Sequence, residues 1–434
     1  MKIHILYSNQ SLKIFFYALP AAPMAALYFP VFVYLAEFYS SNFGISIALI
    51  GFTFLIVRLF DALLDPLFGF LSDKINFLNI RRRLWLIIST PILVVSIWYL
   101  YMPEILPSHN IKYFIIWLVL ATIGWSAFIT PYYALGTELT DDYHERSTVA
   151  IIREALALVG TIIAAGLYAL AENSVEAFKN IAYFIIFGLP LSTILCVIYA
   201  KEDNKKPGNI ISAGSVFNFL RNLIHNRTYS KLILAYFING AANGLPATLF
   251  IYFVNTKLEL QEYSGVLLLV YFISAVTASP VWIFLSKRFS KPKLWCFSMI
   301  YASIIFLFVI FLGSGDFFPF LVICFLAGAA VGADLGIPAS IQADIIEIDT
   351  LKSGENRAGL YFAIWSIVTK AAIAFSSGFG LILLSKADFL PGGDNSSDTI
   401  LLLTILYCVL PVVLKMISVR LIWSLAPGNE LSKL

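Results

Sequence analysis

Arg58, Asp61 and Asp65 stand at i, i+3 and i+7 inside an apolar run, and Pro66, Gly69, Ser72, Asp73 and Lys74 follow. On a helix the three ionisable groups share one face within about 60°. The run around them is far too long for an ordinary core helix, so they are expected at membrane depth. There each costs roughly 2.5–3.5 kcal/mol on an insertion scale, which is why such side chains face a bundle interior or a wet cavity. Two acids one turn apart repel each other unless a cation neutralises them. A proton serves, and so does Na⁺, because carboxylate oxygen suits a hard cation. The pattern points to a cation site at Asp61 and Asp65. The alternative is that the acids pair with Arg58 or another buried base and only hold helices together.

The elements that must position these groups follow from the bulk of the chain. Its 434 residues are 60% hydrophobic and only 13% charged, with mean hydropathy +0.85. A soluble domain carries nearer a quarter charged residues, so this is an all-α membrane protein. Hydropathy divides it into twelve spans, near residues 13–39, 44–72, 83–102, 112–138, 147–171, 178–200, 229–255, 262–286, 293–313, 317–347, 357–385 and 399–424. The first follows a short N-terminus directly, so no cleavable signal peptide is expected. Pro20, Pro23 and Pro30 predict that this span is bent.

Lys and Arg crowd the loops on one side, including Lys74, Arg81, Arg82 and Arg83. The positive-inside bias then puts both termini in the cytoplasm of an inner or plasma membrane protein. The charged stretch 201–228 reads as a cytoplasmic linker between six-helix halves at 1–200 and 229–434. A repeat supports the halves. Asp65-Pro66, with Phe70, Leu71 and Ser72, closes the second span. Ser279-Pro280, with Phe284, Leu285 and Ser286, closes the eighth in the same register. Repeated halves are a transporter hallmark, with solute sites expected near the midplane.

Other polar groups lie within the spans. Lys370 falls mid-span, where it cannot easily snorkel, so it should meet an acid or a solute. Asp334, beside Gly332, Gly336 and Pro338, is expected either to bind solute or relay a proton, or to cap freed backbone amides. Arg153 is expected to line a cavity while the adjacent Glu154 pairs locally, since neighbours point roughly 100° apart. Asn239 and Asn243 share a face near Pro246 and either present amides to a ligand or serve close packing. Tyr133 and Trp365 are candidates for a pocket floor or simple packing. At the inner helix ends, Asp73, Glu138, Asp142, Arg146, Asp344, Glu347 and Arg357 read as a cytoplasmic gate of ion pairs, or as ordinary surface charge. Cys196, Cys296, Cys324 and Cys408 have no metal or disulfide spacing and read as buried thiols, and the four histidines are scattered. No nucleophile–base set is legible. No resident cofactor, enzymatic activity or nucleic-acid partner is expected.

Gly69-x-x-Ser72-Asp73-Lys74 with Arg81-Arg82-Arg83 resembles the cytoplasmic loop motif of the major facilitator superfamily. Three further segments resemble the glycoside–pentoside–hexuronide:cation symporters, the group of the melibiose permeases. They are Gly44 through Asp61-x-x-x-Asp65-Pro66; Pro131-Tyr132-Tyr133 with Glu138, Asp142, Arg146 and Arg153; and Asp344 and Glu347 with Gly354, Arg357, Tyr361 and Lys370. The resemblance implies twelve helices in two pseudo-symmetric halves and a Na⁺ or H⁺ site at Asp61 and Asp65, with a fourth-span hydroxyl at Ser126. It further implies that Lys370 links cation and solute. Leu64 replaces an asparagine often found between the acids, which removes one oxygen ligand. The sugar-binding acids of the melibiose permeases are missing, with Ala25 and Ile129 near their positions.

Together these readings predict a cation-coupled symporter of a small, sugar- or glycoside-like solute, working by alternating access. It would be a monomer among membrane lipids, with no cofactor beyond the coupling ion. A lysophospholipid or other amphipathic anion is the alternative solute. A non-transporting membrane sensor or scaffold is the alternative of another class.

Overall fold

A computed structural model describes residues 12–74, 81–103, 111–139, 143–200, 227–286, 288–353 and 358–424. Among these residues there is no strand, and twelve helices are long and apolar enough to cross a membrane. They are α1 (Leu12–Val33), α2 (Ile47–Lys74), α3 (Arg81–Tyr101), α4 (Ile111–Glu138), α5 (Tyr143–Ala169), α6 (Ser174–Tyr199), α7 (Arg227–Tyr252), α8 (Ser264–Ser286), α9 (Lys291–Leu307), α10 (Phe317–Ser353), α11 (Ala358–Lys386) and α12 (Ser397–Trp423). Segment 201–226, most of the expected linker, lies outside the described residues, as do Asp142 and Arg357.

The first span is broken, as its prolines predict. It runs helically over 12–18, turns at Leu19 and Pro20, resumes over Ala21–Val33 and continues past Tyr34 as a short helix, Leu35–Phe43. Gly44, at φ +64°, ends that helix in the left-handed region a Cβ disfavours. Proline also weakens α2 at Pro66, α4 at Pro131, α7 at Pro246, α10 at Pro338 and α12 at Pro411. Each removes the N–H that would bond the carbonyl four residues earlier. In α2, α4, α7 and α10 those carbonyls belong to Ala62, Ala127, Ala242 and Asp334. In α12 the turn before Pro411 widens to a π-segment, Ile405–Val409.

The outer faces are apolar. On α6, Phe187, Leu191, Ile194 and Ile198 are all more than half exposed, one stripe at i, i+4, i+7 and i+11. Such a stripe suits lipid, where a helix already satisfies its own backbone.

The chain divides into two compact units, residues 1–45 with 59–208, and residues 46–58 with 209–434. Within the first, α1 packs on α5 and α6, and α3 on α4 and α6. Within the second, α7 packs on α11 and α12, and α9 on α10 and α12. The same helix pairs recur after a shift of six helices, which is the sequence repeat expressed in packing. In the first unit α1 and α5 meet so closely that a Cβ on Gly160 would overlap the Ala22 carbonyl. The second unit has a core of Tyr229, Leu232, Trp295, Met299, Ile337, Ile341 and Tyr361, among others.

Candidate functional site

In the first unit, two rungs join α2 to α4. The Ser126 hydroxyl donates to Asp61 Oδ1 at 2.7 Å, and the Thr130 hydroxyl donates to Asp65 Oδ1 at 3.4 Å. Asp61 and Asp65 are one turn apart on α2, and Ser126 and Thr130 one turn apart on α4, so both rungs face the same way. Asp61 and Ser126 are fully buried, while Asp65 is half-buried. Leu64, Phe68 and Ala127 pack together beside the rungs, with Trp85 and Ile123 against them. Leu64 thus supplies apolar wall where an amide would have supplied an oxygen. Carboxylate and hydroxyl oxygens are the donor set a proton or a hard monovalent cation uses. Arg58 lies one turn before Asp61 on the same helix and is buried.

Nearby in the same unit, Arg153 of α5 stands 3.9 Å over the Tyr133 ring of α4. Its guanidinium also holds Glu154 Oε1 at 2.7 Å. Glu154 thus pairs locally, with its chain neighbour as the partner: two long side chains can curl together from Cβ atoms that point apart. The Tyr17 hydroxyl donates to the Tyr132 carbonyl at 3.1 Å, and Tyr132 returns the bond to the Tyr17 carbonyl at 2.9 Å. Their rings stack at 4.8 Å. These bonds tie α1 to α4 directly before Tyr133.

The second unit holds a different cluster. Lys415 of α12 extends its Nζ to Asp334 Oδ2 at 3.0 Å and to Asn239 Oδ1 at 2.9 Å. Asn243 Nδ2 donates to Asp334 Oδ2, and Trp295 Nε1 to Asp334 Oδ1, each at 3.0 Å. Asn239 is turned into this packing, whereas Asn243 is exposed. Asp334 therefore spends its oxygens on side chains of α7, α9 and α12, and not on capping freed amides. Lys415 is the group sequence reading missed. It sits about two turns before the end of the last span, from where a long lysine side chain can snorkel toward the surface. The available signal was Asp334 itself, an intramembrane acid that requires a base.

Trp365 stacks on Tyr236 at 3.7 Å, and the Tyr236 hydroxyl shares a 3.0 Å hydrogen bond with Thr369. Lys370, next on α11, is buried. Of the expected gate residues, Asp344 pairs with Lys291 of its own unit at 2.6 Å, and Glu347 is exposed. Asp73, Glu138 and Arg146 lie at the ends of α2, α4 and α5. Among the described residues, no group of three or more His, Cys, Asp or Glu is placed to hold a metal ion, and all four cysteines are buried free thiols.

Twelve spans, two units of repeated packing and ionisable groups set between neighbouring helices are the architecture of a membrane transporter of major facilitator type. Solved structures share this fold. The nucleoside transporter NupG superposes with a TM-score of 0.66 at 12% identity, covering 97% of this chain and 100% of that one. A bacterial homologue of the iron transporter ferroportin, in its inward-facing state, superposes with a TM-score of 0.68 at 14% identity, covering 98% and 100%. The family model described as "MFS/sugar transport protein" matches residues 16–426, and the chain belongs to that family. It is 24% identical to the sodium-dependent lysophosphatidylcholine symporter 1 of Xenopus tropicalis, over 86% of this chain and 79% of that protein. It is 23% identical to the putative glycoside/cation symporter YagG of Escherichia coli (strain K12), over 88% and 84%.

Proposed function

We propose that this protein is a cation-coupled symporter that moves a small, sugar- or glycoside-like solute by alternating access. The pair of carboxylate–hydroxyl rungs, Asp61 with Ser126 and Asp65 with Thr130, carries the reading. Two acids and two hydroxyls, each pair one turn apart, bring oxygen ligands of the kind Na⁺ or H⁺ uses to one face of the α2–α4 contact. The cation binds there and neutralises the acids. The solute-binding groups are Tyr133 and Arg153 in the first unit and Asn243, Asp334 and Trp365 in the second, with Lys370 of the second unit as the coupling residue. The loaded carrier changes access, and the charged groups at the inner helix ends act as its gate. The protein works as a monomer in an inner or plasma membrane, with both termini cytoplasmic.

The absence of acids at Ala25 and Ile129, and the likeness to a lysophosphatidylcholine symporter, support an amphipathic lipid as a second solute reading. Uptake into proteoliposomes tests both, using a sugar panel and a lysolipid panel under imposed Na⁺ or pH gradients. The Asp61→Asn/Asp65→Asn protein runs in parallel. Accumulation driven by one gradient and lost in the double variant is expected, and it identifies ion and solute class together. Accumulation unchanged in that variant removes the cation site. No accumulation of any solute favours the sensor or scaffold class.

A further inference from the structure

The cluster around Lys415 is expensive to build. A lysine 7% exposed and an aspartate with a side chain 10% exposed are set among four helices whose neighbouring core is apolar. As a staple this is a poor choice, since well-packed apolar residues hold helices as well or better than a buried ion pair. The backbone beside the pair is also loosened. Pro338 takes the helical donor from the Asp334 carbonyl, and α12 widens to a π-segment over Ile405–Val409 just before Pro411. The cluster has an open edge. Asn239, Lys415 and Trp295 are sealed in, but Asn243 is exposed while its amide donates to Asp334. An exposed amide in the middle of a spanning helix belongs in water or against a solute, not in hydrocarbon.

We propose that this cluster is a polar subsite of the second unit that takes the uncharged, hydroxyl- or amide-bearing end of a solute. Asn243 makes the contact, Asp334 lies behind it as acceptor, and Lys415 is a positioning residue that holds the Asp334 carboxylate and cancels its charge. The cancellation sets the class of ligand. With an ammonium 3.0 Å from the carboxylate, the site offers hydrogen bonds without net charge. A charged solute group entering beside it would lose its hydration and gain no counter-charge. Lysine adds no acceptor, and its charge opposes a metal cation at the same carboxylate. The subsite rests on the carrier reading above and adds to it the charge class of the solute and the role of Lys415.

Binding to the purified full chain in detergent, followed by thermal stabilisation, tests this without requiring transport. Three probes share one ring and differ in charge: methyl glucoside, glucuronate and glucosamine. Wild type is expected to be stabilised by methyl glucoside in preference to the other two. Asn243→Ala weakens that binding about tenfold, the value of one hydrogen bond. Lys415→Gln leaves the Asp334 charge uncancelled and shifts the preference toward glucosamine. Asp334→Asn shifts it toward glucuronate. The Asp334→Asn/Lys415→Gln protein, neutral again, guards against misfolding and returns the preference to methyl glucoside. A purely structural pair would lower stability without reordering the probes. Equal ordering in all four variants, a wild type that prefers a charged probe, or no stabilisation by any probe overturns the subsite. A wild type that binds methyl glucoside but accumulates nothing under any gradient overturns the carrier reading instead.

Discussion

The two units set different hydrogen-bond donors on their aspartates. Asp61 in the first receives a hydroxyl from Ser126, whereas Asp334 in the second receives an ammonium from Lys415 and two N–H donors from Asn243 and Trp295. A hydroxyl brings lone pairs and no charge, so carboxylate and hydroxyl together form a surface a cation can use. An ammonium brings a full charge and no lone pair, so it satisfies the carboxylate and leaves nothing for a cation. The same residue type at membrane depth can therefore be an ion ligand in one unit and part of a neutral frame in the other.

The sharpest way to break this contrast is to neutralise the first acid. Asp61→Asn keeps the shape of the rung and removes its charge, and gradient-driven accumulation in proteoliposomes is expected to fall by on the order of 100-fold, matching loss of a charged ligand. Retained accumulation would mean the rungs are structural. The next effect belongs to the second unit. Lys415→Met strands a buried carboxylate and is expected to cost about 3–5 kcal/mol, read as a lower midpoint in thermal unfolding. Adding Asp334→Asn should recover most of that loss, because the stranded charge is then gone. If Asp61 and Asp334 were alike, the two single variants would fail in the same assay. Here the first is expected to fail in coupling and the second in stability.

The twelve spans were legible because a membrane helix writes its length into hydropathy, and the broken first span because its prolines name the break. The six-helix shift was legible in the Pro66 and Pro280 segments. Ser126 was reached only through a family resemblance, since spacing within α2 says nothing about which α4 residue stands opposite. Thr130 then follows from geometry. It is one turn from Ser126, as Asp65 is from Asp61, yet that inference needs the first rung to fix the register of α4 on α2. Lys415 was hidden for another reason. A basic residue near a span end has an inexpensive route to the surface, and only packing shows that this one turns inward. Arg153 and Glu154 mark a similar limit: a local partner for Glu154 was legible, but not that the adjacent Arg153 supplies it.

The rungs differ from each other, and smaller substitutions measure by how much. Ser126→Ala removes a 2.7 Å contact to a fully buried carboxylate and should weaken apparent cation affinity roughly tenfold, at about 1.5 kcal/mol. Thr130→Val removes a 3.4 Å contact at the outer limit of hydrogen bonding to a half-buried acid, so a change of about threefold or less is expected. Cation titrations of solute uptake order the two. Equal effects would indicate that both rungs close to the same distance when the cation is bound.

The smallest expected effect concerns a second ion pair of the second unit. Lys291 and Asp344 stand at 2.6 Å, closer than Lys415 and Asp334, but their side chains are 34% and 33% exposed against 9% and 10%. Distance alone would rank Lys291–Asp344 first. Exposure reverses the order, because water screens the pair and re-solvates whichever partner is left behind. Lys291→Ala is therefore expected to change thermal stability by less than about 1 kcal/mol. If Asp344 serves a gate, the same substitution should instead alter the rate at which the carrier changes access, measured as solute exchange without a gradient. A loss of stability equal to that of Lys415→Met would show that burial is not what separates the two pairs.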